Sequence, residues 1–210
     1  MGNNSSEIGI LDYGVSNLRS VCNALAFLGH TARIINKPQD IRHCDRLILP
    51  GVGAFGPAMS KLEKLGFADS LREHVIHKER PLLGICLGMQ LLLSESHEGG
   101  VFPGLQFIDG DVRPLREIAD TRPVPHVGWN DAIPTGKGVL FAEVSPDDCS
   151  FYFVHSFYCR PKNENIVTAT AQYGETFAVA LEHENLLACQ FHPEKSQKNG
   201  LTIFKQFLTL

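Results

Sequence analysis

The chain has 210 residues, of which 43% are hydrophobic and 20% are charged, and its formal net charge at pH 7 is -4. This composition is ordinary for one globular domain with a full hydrophobic core. Lysine and arginine are scattered singly and form no basic stripe, which argues against nucleic acid or an anionic membrane as a partner. Small molecules and other proteins are the expected partners.

The cysteines and the N-terminal segment both indicate where in the cell the protein is located. The 6 cysteines form no C-x-x-C pair and no spacing of zinc ligands, so we expect reduced thiols. The first residues lack the basic and apolar regions of a secretory signal, and no apolar run approaches the ~20 residues that span a bilayer. These features predict a cytoplasmic protein with a disordered tail over residues 1–6 and one domain over residues 7–210.

The first half of the chain alternates short apolar runs with helical patterns. Strands are predicted over 8–13, 31–35, 46–49 and 82–85. Helices are predicted over 15–28, over 55–75 with an interruption at Gly66, and over 87–96. Strands that alternate with helices pair in parallel through right-handed crossovers, so this half is predicted to be an α/β unit with a parallel sheet.

The second half has more glycine and proline and fewer helical patterns. Extended segments are predicted over 107–112, 127–133, 150–159, 166–173, 177–182 and 186–191. The last two are close enough to form a hairpin, so this half is predicted to be mixed or antiparallel. A short helix with an apolar face is predicted over 201–208.

Cys86 is the residue around which the predicted chemistry is organised. It lies between the predicted strand 82–85 and a helical pattern, with Gly84 and Gly88 two places to either side. The tight strand-to-helix turn of a nucleophile elbow needs small residues at those two places. The positive end of the following helix would favour the thiolate. The alternative is a small buried cysteine at a strand end.

A base and its orienting partner are predicted at His192 and Glu194. In an extended segment residues two apart share a side, and the intervening proline fixes φ, so the carboxylate can approach the imidazole. Such a carboxylate would orient the ring and stabilise the imidazolium. A loop feature without catalytic role is the alternative.

Donors for an oxyanion are predicted in the loop after the strand 46–49. The glycine-rich segment 49–55 offers the amide of Val52 or Gly53, and the residue after the nucleophile offers the amide of Leu87. A phosphate-binding loop is the competing interpretation. It is weaker, because the segment lacks the lysine of a P-loop and the G-x-G-x-x-G fingerprint.

Together, the segments 50–53, 84–90 and 192–194 resemble the class I glutamine amidotransferases, whose triad is Cys, His and Glu on an α/β fold. Further segments resemble, within that class, the glutaminase subunits of imidazole glycerol phosphate synthases: 12–21, Met89, 125–130, 153–156 and 191–196. The resemblance runs from about Ile8 to Leu208. It implies a single three-layer, flavodoxin-like domain and a reaction that needs neither metal nor cofactor.

The resemblance also implies the substrate and the residues that bind it. L-glutamine would be hydrolysed to glutamate and ammonia through a thioester on Cys86. The residues implied to hold glutamine are Gln90, Glu98, His155, Ser156 and Phe157. For Glu98 the alternative is a solvated loop carboxylate, and for His155 and Ser156 it is packing at a strand end.

A chain of this length has no room for a second catalytic domain, so the ammonia would pass to a partner protein. The resemblance implies the cyclase subunit, in histidine biosynthesis, as that partner. Residues implied for the partner face are Asn17, His126, Trp129, Asn130 and Lys195; a core tryptophan and solvated polar residues are the alternative.

Two other functions remain open from the sequence. Related glutaminases supply ammonia to synthetases that amidinate surface-polysaccharide sugars, and a flavodoxin-like binding protein would keep the fold without the chemistry. Ser16 stands where the resembled family usually has glycine, and Phe157 where tyrosine is common. The intact Cys86, His192 and Glu194 argue against the non-catalytic alternative.

Overall fold

The computed structural model describes residues 7–14 and 17–210. The predicted tail over residues 1–6 and the family difference at Ser16 lie outside the described residues. Within the described part of the chain, no helix combines the length and the apolar character needed to cross a bilayer.

The first half alternates strands and helices as predicted. Its elements are β1 (Ile8–Leu11), α1 (Leu18–Phe27), β2 (Ala32–Ile35), β3 (Arg46–Gly51), α2 (Phe55–Lys64), α3 (Phe67–Arg72), β4 (Leu82–Cys86), α4 (Leu87–Leu91) and β5 (Leu93–Ser96). The predicted helix over 55–75 is divided at Gly66, which adopts φ 76°. A π-helical turn over Glu73–His77 continues α3.

The second half is built mostly of strands. Its elements are β6 (Phe102–Pro103), β7 (Ile108–Pro114), β8 (His126–Asp131), β9 (Ile133–Pro134), β10 (Ser150–His155), β11 (Phe157–Pro161), β12 (Val167–Tyr173), β13 (Glu175–His183), β14 (Leu186–Cys189) and α5 (Gln197–Leu208). The hairpin predicted from the last two extended segments is the antiparallel pair β13–β14.

The main sheet has the strand order β2-β1-β3-β4-β14-β13-β11-β7-β5-β6, and β8 pairs with β10 in a separate small sheet. Pairing from β2 through β1, β3 and β4 to β14 is parallel, whereas β14–β13, β13–β11 and β11–β7 are antiparallel. The prediction of a parallel first half and a mixed second half is confirmed.

Apolar side chains on the two faces of the sheet form two clusters, which makes the domain three-layered. Ile8 and Ile10 of β1 pack with α1 and α5 residues such as Leu25 and Phe204. Leu47 of β3 packs on the opposite face with α2 and α3 residues. Because the side chains of a strand alternate between the two faces of a sheet, one strand can contribute residues to both clusters.

Two predicted elements are wrong in their extent. The helix predicted over 87–96 ends at Leu91, and 93–96 instead forms β5, where Leu93 pairs with Ile108 of β7. Leu91, Leu92 and Leu93 are all buried, so the segment has no polar face that a surface helix would need. The strand predicted over 150–159 is divided at Ser156, and its two halves join different sheets.

Candidate active site

Cys86 lies at the strand-to-helix turn between β4 and α4, in a backbone conformation that is unusual for a side chain. Its φ is 55° and its ψ is -108°, in a region that non-glycine residues rarely adopt. A Cβ at Gly88 would overlap the carbonyl oxygen of Leu49, and a Cβ at Gly84 would lie 2.9 Å from the carbonyl oxygen of Gly88. The two glycines are therefore required by close backbone approach, as a nucleophile elbow demands.

His192 and Glu194 lie beside Cys86 because β14 pairs with β4. Cys189 at the end of β14 lies opposite Ile85, so the chain leaving each strand emerges at the same edge of the sheet. Nδ1 of His192 lies 2.7 Å from Oε1 of Glu194, and the two side chains are 2% and 3% exposed. The structure thus brings together the three residues predicted as a triad.

The electrostatics of His192 depend on its two neighbours. Burial lowers the pKa of His192, but hydrogen bonding and charge attraction toward Cys86 and Glu194 outweigh burial and raise the pKa to about 10. The ring of His192 is therefore an imidazolium at neutral pH. Ser196 holds the backbone of His192 against β10. Its hydroxyl donates to the carbonyl of His192 at 2.6 Å and accepts from the amide of Tyr152 at 3.0 Å.

A cavity of about 400 Å³ opens over Cys86. It is lined by the predicted nucleophile, base, oxyanion donors and glutamine-binding residues, together with Pro125 and Val154: Val52, Gly53, Cys86, Leu87, Gln90, Glu98, Pro125, Val154, His155, Ser156, Phe157 and His192. Glu194 lies behind His192 and does not line the cavity. Sequence reasoning missed Pro125 and Val154, which have no chemical signature of their own.

The predicted oxyanion loop joins the cavity through the register of the sheet. Gly51, at the end of β3, pairs with Cys86, which places Val52 and Gly53 at the rim beside the sulfur and Leu87. Gly53 has φ 99°, a conformation open to glycine at no steric cost. Exposure of Val52 is 41%, so this loop is the outer wall of the cavity.

Glu98 has an anchored position at the cavity wall. Its Oε2 accepts a hydrogen bond from the amide of Phe55 at 2.7 Å, at the first residue of α2. The alternative of a freely solvated loop carboxylate is therefore wrong. An anchored carboxylate can face a cationic group of a ligand.

The carbonyl oxygen of Phe157 collects two side-chain donors inside the site. It accepts from Nε2 of Gln90 at 3.2 Å and from Nδ1 of His155 at 2.8 Å. Because a carbonyl can only accept, the proton of His155 is on Nδ1 and its Nε2 is an acceptor. That Nε2 lies 2.9 Å from Nδ1 of His126, which must donate.

Both of these histidines are uncharged. Burial lowers the pKa of His155 to about 3 and that of His126 to about 4. Nε2 of His126 then accepts from Nδ2 of Asn130 at 3.4 Å. A single chain of hydrogen bonds with a fixed direction therefore runs from Asn130 to the Phe157 carbonyl.

Four of the residues predicted for the partner face lie at or near the surface. Asn17 and Lys195 are exposed, Trp129 is 50% exposed, and Asn130 is half-buried. The prediction for His126 is wrong: the side chain is 3% exposed and packs between the rings of Phe153 and Tyr173. In β8 the residues at 126 and 129 are an odd number apart, so they point to opposite faces.

Gln190 is a further residue at the site that the sequence predictions missed. Its Nε2 lies 3.7 Å from Sγ of Cys86, and its Oε1 accepts from Nε2 of Gln90 at 3.1 Å. It precedes His192 by two positions in an extended segment, so the same alternation that paired His192 with Glu194 would have found it. No group of three or more His, Cys, Asp or Glu side chains converges as a metal site would require, anywhere in residues 7–14 and 17–210.

The comparison with protein families gives one assignment. The family model for glutamine amidotransferase class-I matches residues 9–210. The chain belongs to this family.

Curated relatives extend the glutamine amidotransferase assignment. The chain is 47% identical over 199 residues to the imidazole glycerol phosphate synthase subunit HisH of Chlorobaculum tepidum, covering 94% of the chain and 97% of that relative. It is 44% identical to the subunit HisH 1 of Campylobacter jejuni (97% and 100% covered) and 46% identical to HisH of Moorella thermoacetica (95% and 93% covered).

Solved structures share the amidotransferase fold. A crystal structure of a glutamine amidotransferase matches with a TM-score of 0.73 at 24% identity, covering 96% of this chain and 97% of that one. PurLQS from Thermotoga maritima matches with a TM-score of 0.76 at 15% identity, covering 98% of both chains. At these identities the match is one of fold alone.

Proposed function

We propose that the chain is the glutaminase subunit of an imidazole glycerol phosphate synthase, which hydrolyses L-glutamine to glutamate and ammonia. The observation that carries the proposal is the arrangement of Cys86 and His192 at the wall of a cavity of about 400 Å³, with Glu194 behind His192. The names of relatives at 44–47% identity over nearly the full chain support it.

The first chemical step forms a thioester. The thiolate of Cys86 attacks the side-chain amide carbon of glutamine, and the carbonyl oxygen becomes an oxyanion that the amides of Leu87 and of Val52 or Gly53 would stabilise. The imidazolium of His192 gives its proton to the leaving nitrogen, and the C–N bond breaks to release ammonia. Glu194 keeps the proton-bearing ring in position, and its charge stabilises the imidazolium.

The second step hydrolyses the thioester. Neutral His192 takes a proton from water, the water oxygen attacks the thioester carbon, and the C–S bond breaks to return the electron pair to sulfur. Glutamate leaves, and His192 is again the imidazolium. Within the cavity, Gln90, Glu98, His155, Ser156 and Phe157 are the proposed glutamine-binding residues, with anchored Glu98 facing the substrate ammonium.

We assign the cyclase subunit as the acceptor of ammonia. The outward side of the β8–β10 sheet carries Val127, Trp129 and Val154 at 56%, 50% and 36% exposure, and Val154 also lines the cavity. Lys195 lies 5.6 Å from the ring of Tyr152 on the same side. An apolar surface continuous with the mouth of a cavity fits a protein that covers it and keeps ammonia from bulk water. The 6 free cysteines fit a reducing compartment, which we take to be the cytoplasm.

Glutamate release by the purified chain, alone and with the cyclase subunit and its ribonucleotide substrate, tests both parts of the proposal. We expect stimulation by the cyclase, and loss of at least about a thousandfold in kcat for Cys86→Ala, since a nucleophile is removed. Cys22→Ala on α1 is the matched control and should keep the wild-type rate.

Two results count against the proposal. Activity retained in Cys86→Ala would sink the thioester mechanism. Stimulation by a synthetase that amidinates sugars, with none by the cyclase, would reassign the partner while leaving the chemistry in place.

A further inference from the structure

Gln190 is buried completely, with 0% exposure, and is held at three points. Its backbone amide donates to the carbonyl of Val179 at 2.8 Å. Its side-chain oxygen accepts from Gln90 at 3.1 Å, and its side-chain nitrogen lies 3.7 Å from the sulfur of Cys86. A fully buried amide that reaches the sulfur is therefore held in one place on the far side from solvent.

The orientation of this amide follows from the Phe157 carbonyl. That carbonyl can only accept, so Gln90 must present its NH₂ group to it. The same NH₂ group faces Gln190, which must therefore present its oxygen to Gln90. The remaining NH₂ group of Gln190 is left facing Cys86. The flipped amide would set two NH₂ groups against each other and an oxygen against the sulfur.

We propose that Gln190 is a further catalytic residue of the glutaminase reaction, which donates an N–H hydrogen bond to the sulfur of Cys86. Gln90 has a second role in the same chain, since it fixes the direction of the donor. Hydrogen bonds to a charged group are stronger than those to a neutral group, so this bond favours the thiolate over the thiol. The kinetic consequence rests on the proposed function, whereas the contact and its effect on the sulfur do not.

The donor acts wherever negative charge is on sulfur. It stabilises the thiolate that waits for glutamine. During thioester formation the charge leaves sulfur as the C–S bond forms, and during hydrolysis it returns to sulfur as that bond breaks. The N–H of Gln190 stays on its nitrogen throughout, and His192 moves the protons.

Apart from His192 and Glu194, the titratable groups around the sulfur stay uncharged. Burial raises the pKa of Tyr13, of Cys159 and of Cys189, and the charge on Cys86 raises all three further. The charged neighbour of the sulfur at neutral pH is His192, whose pKa is raised to about 10. The carbonyl of Val154, 3.9 Å from the sulfur, can accept from the thiol but cannot donate to the thiolate.

The test is the pH dependence of Cys86 alkylation by iodoacetamide in the purified chain, with the modified peptide quantified by mass spectrometry. Gln190→Met keeps the length of the side chain and removes the donor. We expect the midpoint of the alkylation profile to move up by about one pH unit, the shift that corresponds to about a tenfold loss of thiolate stabilisation. Gln206→Met, at a residue of α5 that is 8% exposed, is the control and should leave the midpoint unchanged.

Gln190→Asn covers the case in which Gln190→Met does not fold. It retains an amide but is one methylene shorter, so its nitrogen falls short of the sulfur, and the same upward shift is expected. For either variant kcat for glutamine should fall about tenfold with little change in KM, because the donor stabilises the charge that returns to sulfur as the thioester is hydrolysed. A wild-type midpoint in a folded variant would overturn the inference, and this reading is independent of whether the chain hydrolyses glutamine.

Discussion

Nδ1 of His126 lies 2.9 Å from Nε2 of His155 across the β8–β10 pair, and His155 also lines the cavity. His155 is 6% exposed and His126 is 3% exposed, so neither ring nitrogen has access to bulk water as a substitute partner. The bond therefore stabilises the fold and holds His155 in place at the cavity wall.

His126→Phe should destabilise the protein. Phenylalanine keeps the stacking on Phe153 and Tyr173, whose ring centroids lie 4.8 Å and 4.0 Å away, but it leaves Nε2 of His155 without a donor. The expected loss is about 1–3 kcal/mol of unfolding free energy, the cost of an unsatisfied buried polar atom. Urea unfolding measures it. His126→Asn keeps a donor near the Nδ1 position and should lose less; equal losses would assign the effect to packing.

Acid should destabilise the fold through its buried histidines. Burial lowers the pKa of His74 and of His126 to about 4 and that of His155 to about 3, below the value of about 6.5 for an unfolded chain. The unfolded state therefore binds more protons between about pH 6.5 and pH 3, and stability falls as pH falls through that window.

His74 offers the cleanest measurement of this effect, because it does not line the cavity over Cys86 and is 1% exposed. The melting temperature of His74→Gln, compared between pH 7 and pH 5, should fall by less than that of the wild type. His30→Gln, at an exposed histidine, should show the wild-type dependence. An unchanged slope in His74→Gln would contradict the assignment of a neutral buried imidazole.

Glu194→Gln should separate geometry from charge in the triad. The amide can still accept from Nδ1 of His192, but the carboxylate that helps to raise the pKa of His192 to about 10 is gone. We expect kcat to fall by at least about a hundredfold. The alkaline limb of the pH–rate profile should move to lower pH, because the imidazolium is lost at a lower pH. Glu143→Gln, at a surface ion pair with Lys205, is the control; a limb that does not move would remove Glu194 from its assigned role.

Gly88→Ala should disrupt the turn at Cys86. The added Cβ would overlap the carbonyl oxygen of Leu49 in the adjacent strand, so β3 or α4 has to move. We expect a loss of about 3 kcal/mol or more in stability, as for other overpacked core sites, and a loss of glutaminase activity. Gly56→Ala in α2, where the nearest atoms belong to the flexible Phe102 ring at 3.2 Å, should change stability by less than about 1 kcal/mol. Similar losses in both variants would contradict the close-approach argument.

Local patterns in the sequence were sufficient to predict the alternating half of the fold and the proximity of Cys86, His192 and Glu194, the proposed triad. Glycine spacing identified the turn at Cys86, and the two-residue spacing of His192 and Glu194 identified their contact, because both depend on neighbours in the chain. The helix predicted past Leu91 was wrong, since the choice between helix and strand there is made by pairing with β7, which is remote in sequence.

The alternation of side chains along β8 is information in the sequence that the prediction of the partner face did not use. His126, Gly128 and Asn130 share one side of the strand, and Val127 and Trp129 share the other. Only the second set faces solvent strongly. Which side is buried depends on the partner strand β10 and on Tyr173, so it could not be assigned from the segment 125–130 alone.

The register between β3 and β4, in which Gly51 lies opposite Cys86, also limits how the activity of this protein can be adjusted. The 52–53 loop, Cys86 and His192 follow three neighbouring strands and lie at one edge of the sheet. The packed centre of the sheet sets their spacing, so the spacing is lost only if the sheet unfolds. The exposed 52–53 loop and the two-stranded β8–β10 sheet are outside that rigid frame. We therefore expect any control by a partner protein to act at the rim, where the proposed donors for the oxyanion lie, while the spacing of sulfur and imidazole stays constant.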